Sequence, residues 1–248
     1  MTTLIKRLVG LVMAHEGDYD SVNRNTDGAG ASIGIFQWPQ RTGGLGQVLR
    51  QYHRANPTLF VQIFGPSSKV LLQKTAAASM EPIDGAQLWQ EPWVSRFARA
   101  GRQPVFQAVQ DRMASDGPFI KAAFTGATAL GFVTERSLAV VLDAAVSQGP
   151  EFAMGVAREV RQALAGQTLP MSEALEEYLR RSVDHFHSRA KPSPPRSPHL
   201  SWRKVGSEWH KYAGQVNLYL NVTRRRKGFI ENELLADVVI EPGTEATV

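Results

Sequence analysis

The sequence contains no cysteine, which excludes disulfides, thiol nucleophiles and every zinc or iron site built on thiolate. No run approaches the roughly 20 apolar residues of a membrane-spanning helix, and there is no internal repeat. Low-complexity sequence is confined to Ala190–Pro198, where prolines recur among Ser, Lys and Arg; an extended linker is expected over residues 191–200. What remains is ordinary. The chain has 248 residues, 43% hydrophobic and 21% charged, enough for one large domain or one domain with an appendage.

Charge is spread unevenly along it. The net charge is +5, yet residues 1–188 hold 18 bases against 17 acids. Residues 189–227 hold ten Lys or Arg and one acid, Glu208, and residues 228–248 hold five acids and no base. The run Arg224, Arg225, Arg226 and Lys227 is therefore expected to face solvent and to be drawn to an anionic surface such as a cell-wall polymer. Aromatic residues are not interleaved with it as stacking platforms would be, so no specific nucleic-acid partner is expected.

The spacing of Leu4, Ile5, Leu8, Leu11 and Val12 predicts an amphipathic helix over 3–16, stopped by Gly17. Lys6 and Arg7 before Leu8–Ala14 imitate a very short signal peptide, but cleavage there would remove this helix, so none is assigned. With none assigned, synthesis in a bacterial or phage-infected cytoplasm is expected, with action at the wall after release or injection. Residues 18–42 are rich in turn formers, and Ser32–Trp38 reads as a short strand stopped by Pro39. Helices are expected over 46–55, 67–79, 84–98, 104–115, 118–129, 134–147, 150–165 and 172–188, and helical character over 207–222. The fold class is thus α+β, predominantly α-helical. The expected domains are 1–190, the linker 191–200, and a basic extension 201–248 with an acidic tip, too short for a core of its own and packed on the main domain.

On a helical wheel Glu16 falls about 120° from Leu4, between Val12 and Val9. This sets a carboxyl at the edge of the apolar face, at the negative end of a helix dipole. Both effects disfavour its charged form, as general-acid work requires. Asp27 lies instead in a glycine-rich turn, hydrated and ionised. One carboxyl kept neutral and another kept charged is the division of labour in glycoside hydrolysis. Ser32 follows, with a hydroxyl able to orient a water, while Gly28, Gly30 and Gly34 let the backbone turn tightly. Tyr19, Phe36, Trp38 and Tyr52 could stack on sugar rings.

Glu16-Gly17 followed by Asp27-x-x-Gly30-x-Ser32-x-Gly34-Ile35 resembles the lysozyme-like superfamily of glycoside hydrolases, phage-type lysozymes and bacterial chitosanases among them. Asp27–Ile35 is similar to the chitosanase form, and Leu142–Gly149 resembles that family's late helix. The resemblance implies a two-lobed fold with a small β-hairpin beside the N-terminal helix, with Glu16 as general acid, Asp27 as general base and Ser32 as water-positioning hydroxyl. Substrate contacts are expected from Tyr19, Gly30, Gly34, Gln37, Trp38 and Arg41, and structural support from Asp143 and Gln148. No metal or other cofactor is called for. Ser32 stands where Thr is more usual, and the Glu-to-Asp spacing lies between the two relatives, so Asp18 and Asp20 stay open as second carboxylates. An inverting reaction would need the Glu16 and Asp27 carboxyls roughly 6.5–9.5 Å apart.

Gly30-Ala31-Ser32-Ile33-Gly34 also fits the nucleophile elbow of serine hydrolases, but that elbow needs a strand before it and a helix directly after, and neither is expected here. Fold alone does not choose a substrate. A pI near 9.6 together with Arg24, Arg41, Arg50 and Arg54 points to peptidoglycan and a cell-wall lysozyme. Chitosanase, lytic transglycosylase and a non-catalytic glycan-binding or structural domain are the alternatives.

Overall fold

The structure is a computed structural model and describes residues 3–25, 28–165, 167, 170–189, 203–205, 208–210 and 223–240. The linker 191–200 and residues 211–222 lie outside the described residues. The chain divides into two compact units, Ile5–Gly117 and a second beginning at Pro118.

Helix α1 (Thr3–Glu16) enters the first unit at Ile5; its Ile5, Leu8 and Val12 are buried as their spacing predicts, and Val9 is buried beside them. A three-stranded antiparallel sheet follows, β1 (Val22–Arg24), β2 (Ala31–Ile33) and β3 (Trp38–Pro39), in the order β1-β2-β3. The run 32–38 is therefore not one strand. Gly34 (φ 75°) and Gln37 (φ 46°) take left-handed backbone, and the chain folds back so that Ile33 pairs with Trp38.

Then come α2 (Gly44–Ala55), α3 (Pro57–Phe64), a 3-10 turn at Gly65–Ser67, α4 (Ser68–Ala76), α5 (Trp93–Gly101) and α6 (Pro104–Asp116). Helix α3 falls in a stretch with no predicted element. Asn56 caps it, accepting from the Leu59 N–H at 2.9 Å, and Pro57 occupies the first turn. Helix α5 starts at Trp93 rather than at 84, because residues 83–92 form turns with an Ile83–Ala86 bridge. Tyr52 stacks on Phe106 with ring centroids 4.5 Å apart, and the contact continues through Phe60, Phe64 and Phe97. Each of these rings is buried and adds roughly 1.5–3 kcal/mol, so they form the core of this unit, and Tyr52 is no sugar platform.

The second unit contains α7 (Pro118–Leu130), α8 (Glu135–Gln148), α9 (Pro150–Ala163) and α10 (Met171–Arg189). Thr134 and Ser137 form a reciprocal capping box at the start of α8, and Gly149 ends it. Small residues let α7 approach its neighbours: a Cβ on Gly126 would stand 2.7 Å from Val141 Cγ1. Two short strands, β4 (Arg203–Val205) and β5 (Glu208–His210), pair antiparallel, so residues 208–210 are strand where helix is expected.

Residues 223–231 are helical, and here the basic run departs from expectation. Arg226 is fully buried. Its Nε donates to Asp143 Oδ2 (2.8 Å), Nη1 to Ser182 Oγ (2.7 Å), and Nη2 to Ser147 Oγ (2.8 Å) and Gln148 Oε1 (2.6 Å). Arg225 pairs with the other Asp143 oxygen. An anionic surface is thus left only Arg224 and Lys227 of the four, and Lys227 lies 3.4 Å from Glu231. The acidic segment that follows is tied in by Arg136, which donates to the carbonyls of Ile230, Asn232 and Leu235 and pairs with Asp237 at 2.6 Å. Asp143 and Gln148 stand at the centre of this buried cluster.

Candidate active site

Glu16 is the last residue of α1. Gly17 (φ 150°) releases the chain into a turn in which Ser21 N–H donates to the Asp18 carbonyl (3.0 Å), Asp18 N–H to Ser21 Oγ (2.8 Å) and Tyr19 N–H to Asp18 Oδ1 (2.7 Å). The loop after the helix is therefore a defined turn. Gly34 N–H donates to the Ser21 carbonyl (2.9 Å), which joins this turn directly to the sheet. Gln37 lies on the same side: a Cβ on Gly17 would come within 3.2 Å of its Nε2, which donates to the Gly34 carbonyl at 2.9 Å.

The hairpin is braced in turn. Asn25, in left-handed backbone (φ 64°), accepts from Gly30 N–H at 2.8 Å, and Arg41 Nε donates to the Gly28 carbonyl at 2.8 Å. Buried Gln40 accepts from Ala31 N–H (3.1 Å) and donates to the Ser79 carbonyl (2.6 Å). A Cβ on Gly30 would stand 2.6 Å from its Oε1, so glycine there is set by packing as well as by φ. Thr26 and Asp27 occupy the β1–β2 connection and lie outside the described residues, as does the Glu16–Asp27 separation.

Ser32 sits mid-strand in β2, opposite Asn23 and Pro39, and is only 2% exposed. Trp38 is likewise buried, its ring 6.0 Å from that of Phe36; this is core packing and corrects the expectation of a stacking platform. Tyr19 is half-buried, and its hydroxyl donates to Asp111 Oδ1 at 2.7 Å. Burial, then that hydrogen bond, push the phenol well above its ordinary range. Asp20 pairs with Arg102 at 2.8 Å. The two alternative second carboxylates are thus both engaged, Asp18 with backbone and Asp20 with a guanidinium. No serine elbow forms, since the glycines flanking Ser32 belong to a hairpin.

The residues that sequence reasoning missed lie on α5 and α6. Gln110, fully buried, accepts from Ile35 N–H at 3.1 Å and donates to the Tyr19 carbonyl at 3.0 Å. Gly101 admits the Tyr19–Asp20 backbone, because a Cβ there would stand 2.3 Å from the Tyr19 oxygen. One signal was available: Phe106, Val109, Gln110 and Ala114 share the buried face of α6, and a glutamine in such a stripe must satisfy its amide.

No protein-family model matches the sequence, and no curated protein matches it at significance. Solved structures do. A GH46 chitosanase of Gynuella sunshinyii in complex with chitotetraose superposes with a TM-score of 0.63 at 19% identity, covering 93% of this chain and 88% of that one. Native chitosanase from Bacillus subtilis MY002 gives 0.60 at 16%, covering 91% and 85%. A mutant of the B. subtilis enzyme complexed with 6 GlcN gives 0.61 at 15% over the same shares. The chain has the helical α+β, lysozyme-like fold of these chitosanases.

Proposed function

We propose that the chain is a glycoside hydrolase that cleaves β-1,4-linked aminosugar polymers with Glu16 as general acid and Asp27 as general base. The observation that carries this reading is the join between the end of α1 and the three-stranded sheet, made by the Gly34–Ser21 hydrogen bond. It brings the segment after Glu16 against the hairpin whose β1–β2 connection carries Asp27. In this reading Glu16, at the negative end of its helix, keeps a proton for the leaving oxygen. Asp27 takes a proton from the attacking water, which Ser32 orients, and the anomeric centre inverts. The engagement of Asp18 and Asp20 supports Asp27 as the base.

Charge favours a cationic substrate of the chitosan type. Of the four acids in residues 16–27, Asp20 is paired with Arg102 and Glu16 keeps its proton in this reading, which leaves Asp18 and Asp27 against one base, Arg24, whose guanidinium lies 4.0 Å from Glu91. That the similar structures are chitosanases with aminosugar ligands supports the same choice. Peptidoglycan is the second reading, favoured by exposed Arg41 and Arg54 and the net charge, but two of the cations behind it, Arg225 and Arg226, are turned inward. Digesting chitosan and peptidoglycan in parallel and reading product ends by mass spectrometry tests the proposal. Hydrated reducing ends from chitosan are expected. Hydrated ends from peptidoglycan alone would move the substrate, anhydro ends would make the enzyme a transglycosylase, and no cleavage of either would overturn the hydrolase reading.

A further inference from the structure

We propose that Gln110 is a positioning residue of the hydrolytic site, its buried amide setting the spacing between the turn that follows Glu16 and the hairpin turn at residues 34–37. The inference rests on the hydrolase reading for its kinetic consequence and on geometry alone for the clamp.

Gln110 uses both ends of its amide on backbone. Oε1 accepts from Ile35 N–H (3.1 Å) and Nε2 donates to the Tyr19 carbonyl (3.0 Å). One group belongs to the turn that follows the proposed acid, the other to the β2–β3 turn of the sheet whose β1–β2 connection carries the proposed base, and they reach the same side chain from residues 75 and 91 positions away. Each segment approaches through a position where a side chain would not fit: a Cβ on Gly34 would stand 2.1 Å from Gln110 Oε1, and one on Gly101 2.3 Å from the Tyr19 carbonyl oxygen. The neighbouring residue of α6 adds a second hold on the same turn, since Asp111 accepts from the Tyr19 hydroxyl. An amide is well suited here, because it offers one acceptor and one donor without net charge. A carboxylate in its place would face the Tyr19 carbonyl with a second acceptor. Shifting one reacting group by about 1 Å costs on the order of 100-fold in rate, and a clamp acting on both segments controls such a shift.

The test compares wild type, Gln110→Glu and Gln110→Leu in the full chain. In Gln110→Glu the protonated acid can donate to Tyr19 and accept from Ile35, whereas the carboxylate cannot donate. The ratio of wild-type to variant kcat should therefore rise at least about tenfold between pH 4.5 and 9, a window wide enough for a carboxyl whose titration burial pushes upward, with KM changing less than threefold and folded fraction, from near-UV circular dichroism, unchanged. The titratable groups nearby, Tyr19, Asp111, Asp18, Asp20 and Arg102, are common to both proteins and cancel in the ratio. A pH-independent ratio, or a loss matched by loss of folded protein, would overturn the positioning role. Hydrogen exchange supplies the arm that needs no activity. Gln110→Leu should lose amide protection at residues 18–21 and 34–37 together, and unchanged protection in either segment would overturn the clamp. If the wild type cleaves nothing while exchange behaves as expected, the hydrolase reading falls and the clamp stands.

Discussion

Neutralising Asp143 is the most demanding test of the second unit. Its carboxylate is fully buried and meets Arg226, also fully buried, and Arg225, whose side chain is 12% exposed. One negative charge thus serves two guanidiniums, and Arg226 also donates to Ser182, Ser147 and Gln148. Asp143→Asn keeps the shape and removes the charge, leaving two cations together in the interior. Removing one member of a buried ion pair costs about 3–5 kcal/mol, and at this chain size each kcal/mol moves the midpoint by roughly 2–4 °C. The expected loss is therefore about 6–20 °C, measured by thermal melting followed by far-UV circular dichroism. A double-mutant cycle with Arg226→Met sharpens the claim. The two changes should be non-additive by about 1–3 kcal/mol, since each removes the other's partner. A cost below about 1 kcal/mol for Asp143→Asn, or simple additivity, would refute the reasoning and return the basic run to the surface.

Three further outcomes follow from the same structure. Truncation after residue 190 removes Arg225 and Arg226 from Asp143 and should abolish the cooperative melt of the second unit; a stable, cooperatively folding 1–190 fragment would show that the C-terminal segment is dispensable. Gly34→Ala places a Cβ against Gln110 Oε1 in a left-handed backbone conformation and should cost about 2–4 kcal/mol by chemical denaturation; a cost within 0.5 kcal/mol of zero, the range of an ordinary surface change, would contradict it. Glu177 is held down to about 2 by its hydrogen bond to Arg180 and its bond to Arg181, against an opposing push from burial. A depressed carboxyl contributes stability above its unfolded value and loses it as pH falls through the folded one. The stability gap between wild type and Glu177→Gln should accordingly be present at pH 6 and close between pH 5 and about 2, and a pH-independent gap would contradict the pairing.

Much of the helical framework was legible because its signals are local. Pro104, Pro118 and Pro150 mark first turns, Thr134 caps α8, and Gly149 stops it. The Asn56-Pro57 cap of α3 is equally local and is visible only once the short helix behind it is known. The hairpin was harder, since Ser32–Trp38 has the composition of one strand and only the left-handed backbone at Gly34 and Gln37 divides it. Glu16 and the turn after it lie within a few residues of one another and could be proposed from pattern. Gln110 is marked by pattern only as a buried amide in need of partners, and which partners it has could not be read, because they are 75 and 91 residues distant. The same holds for the basic run. Composition shows four cations in a row, but whether they face water depends on Asp143, 83 residues from Arg226, and nothing in the run itself announces a carboxylate waiting in the interior.

The central claim is that Glu16 delivers the proton that breaks a glycosidic bond. The direct measurement is kcat for wild type and Glu16→Gln on the polymer that the wild type cleaves, with binding of the same polymer recorded in parallel. Glu16→Gln should lose on the order of 10²–10⁴-fold in kcat with binding nearly unchanged. Activity retained within tenfold would contradict it.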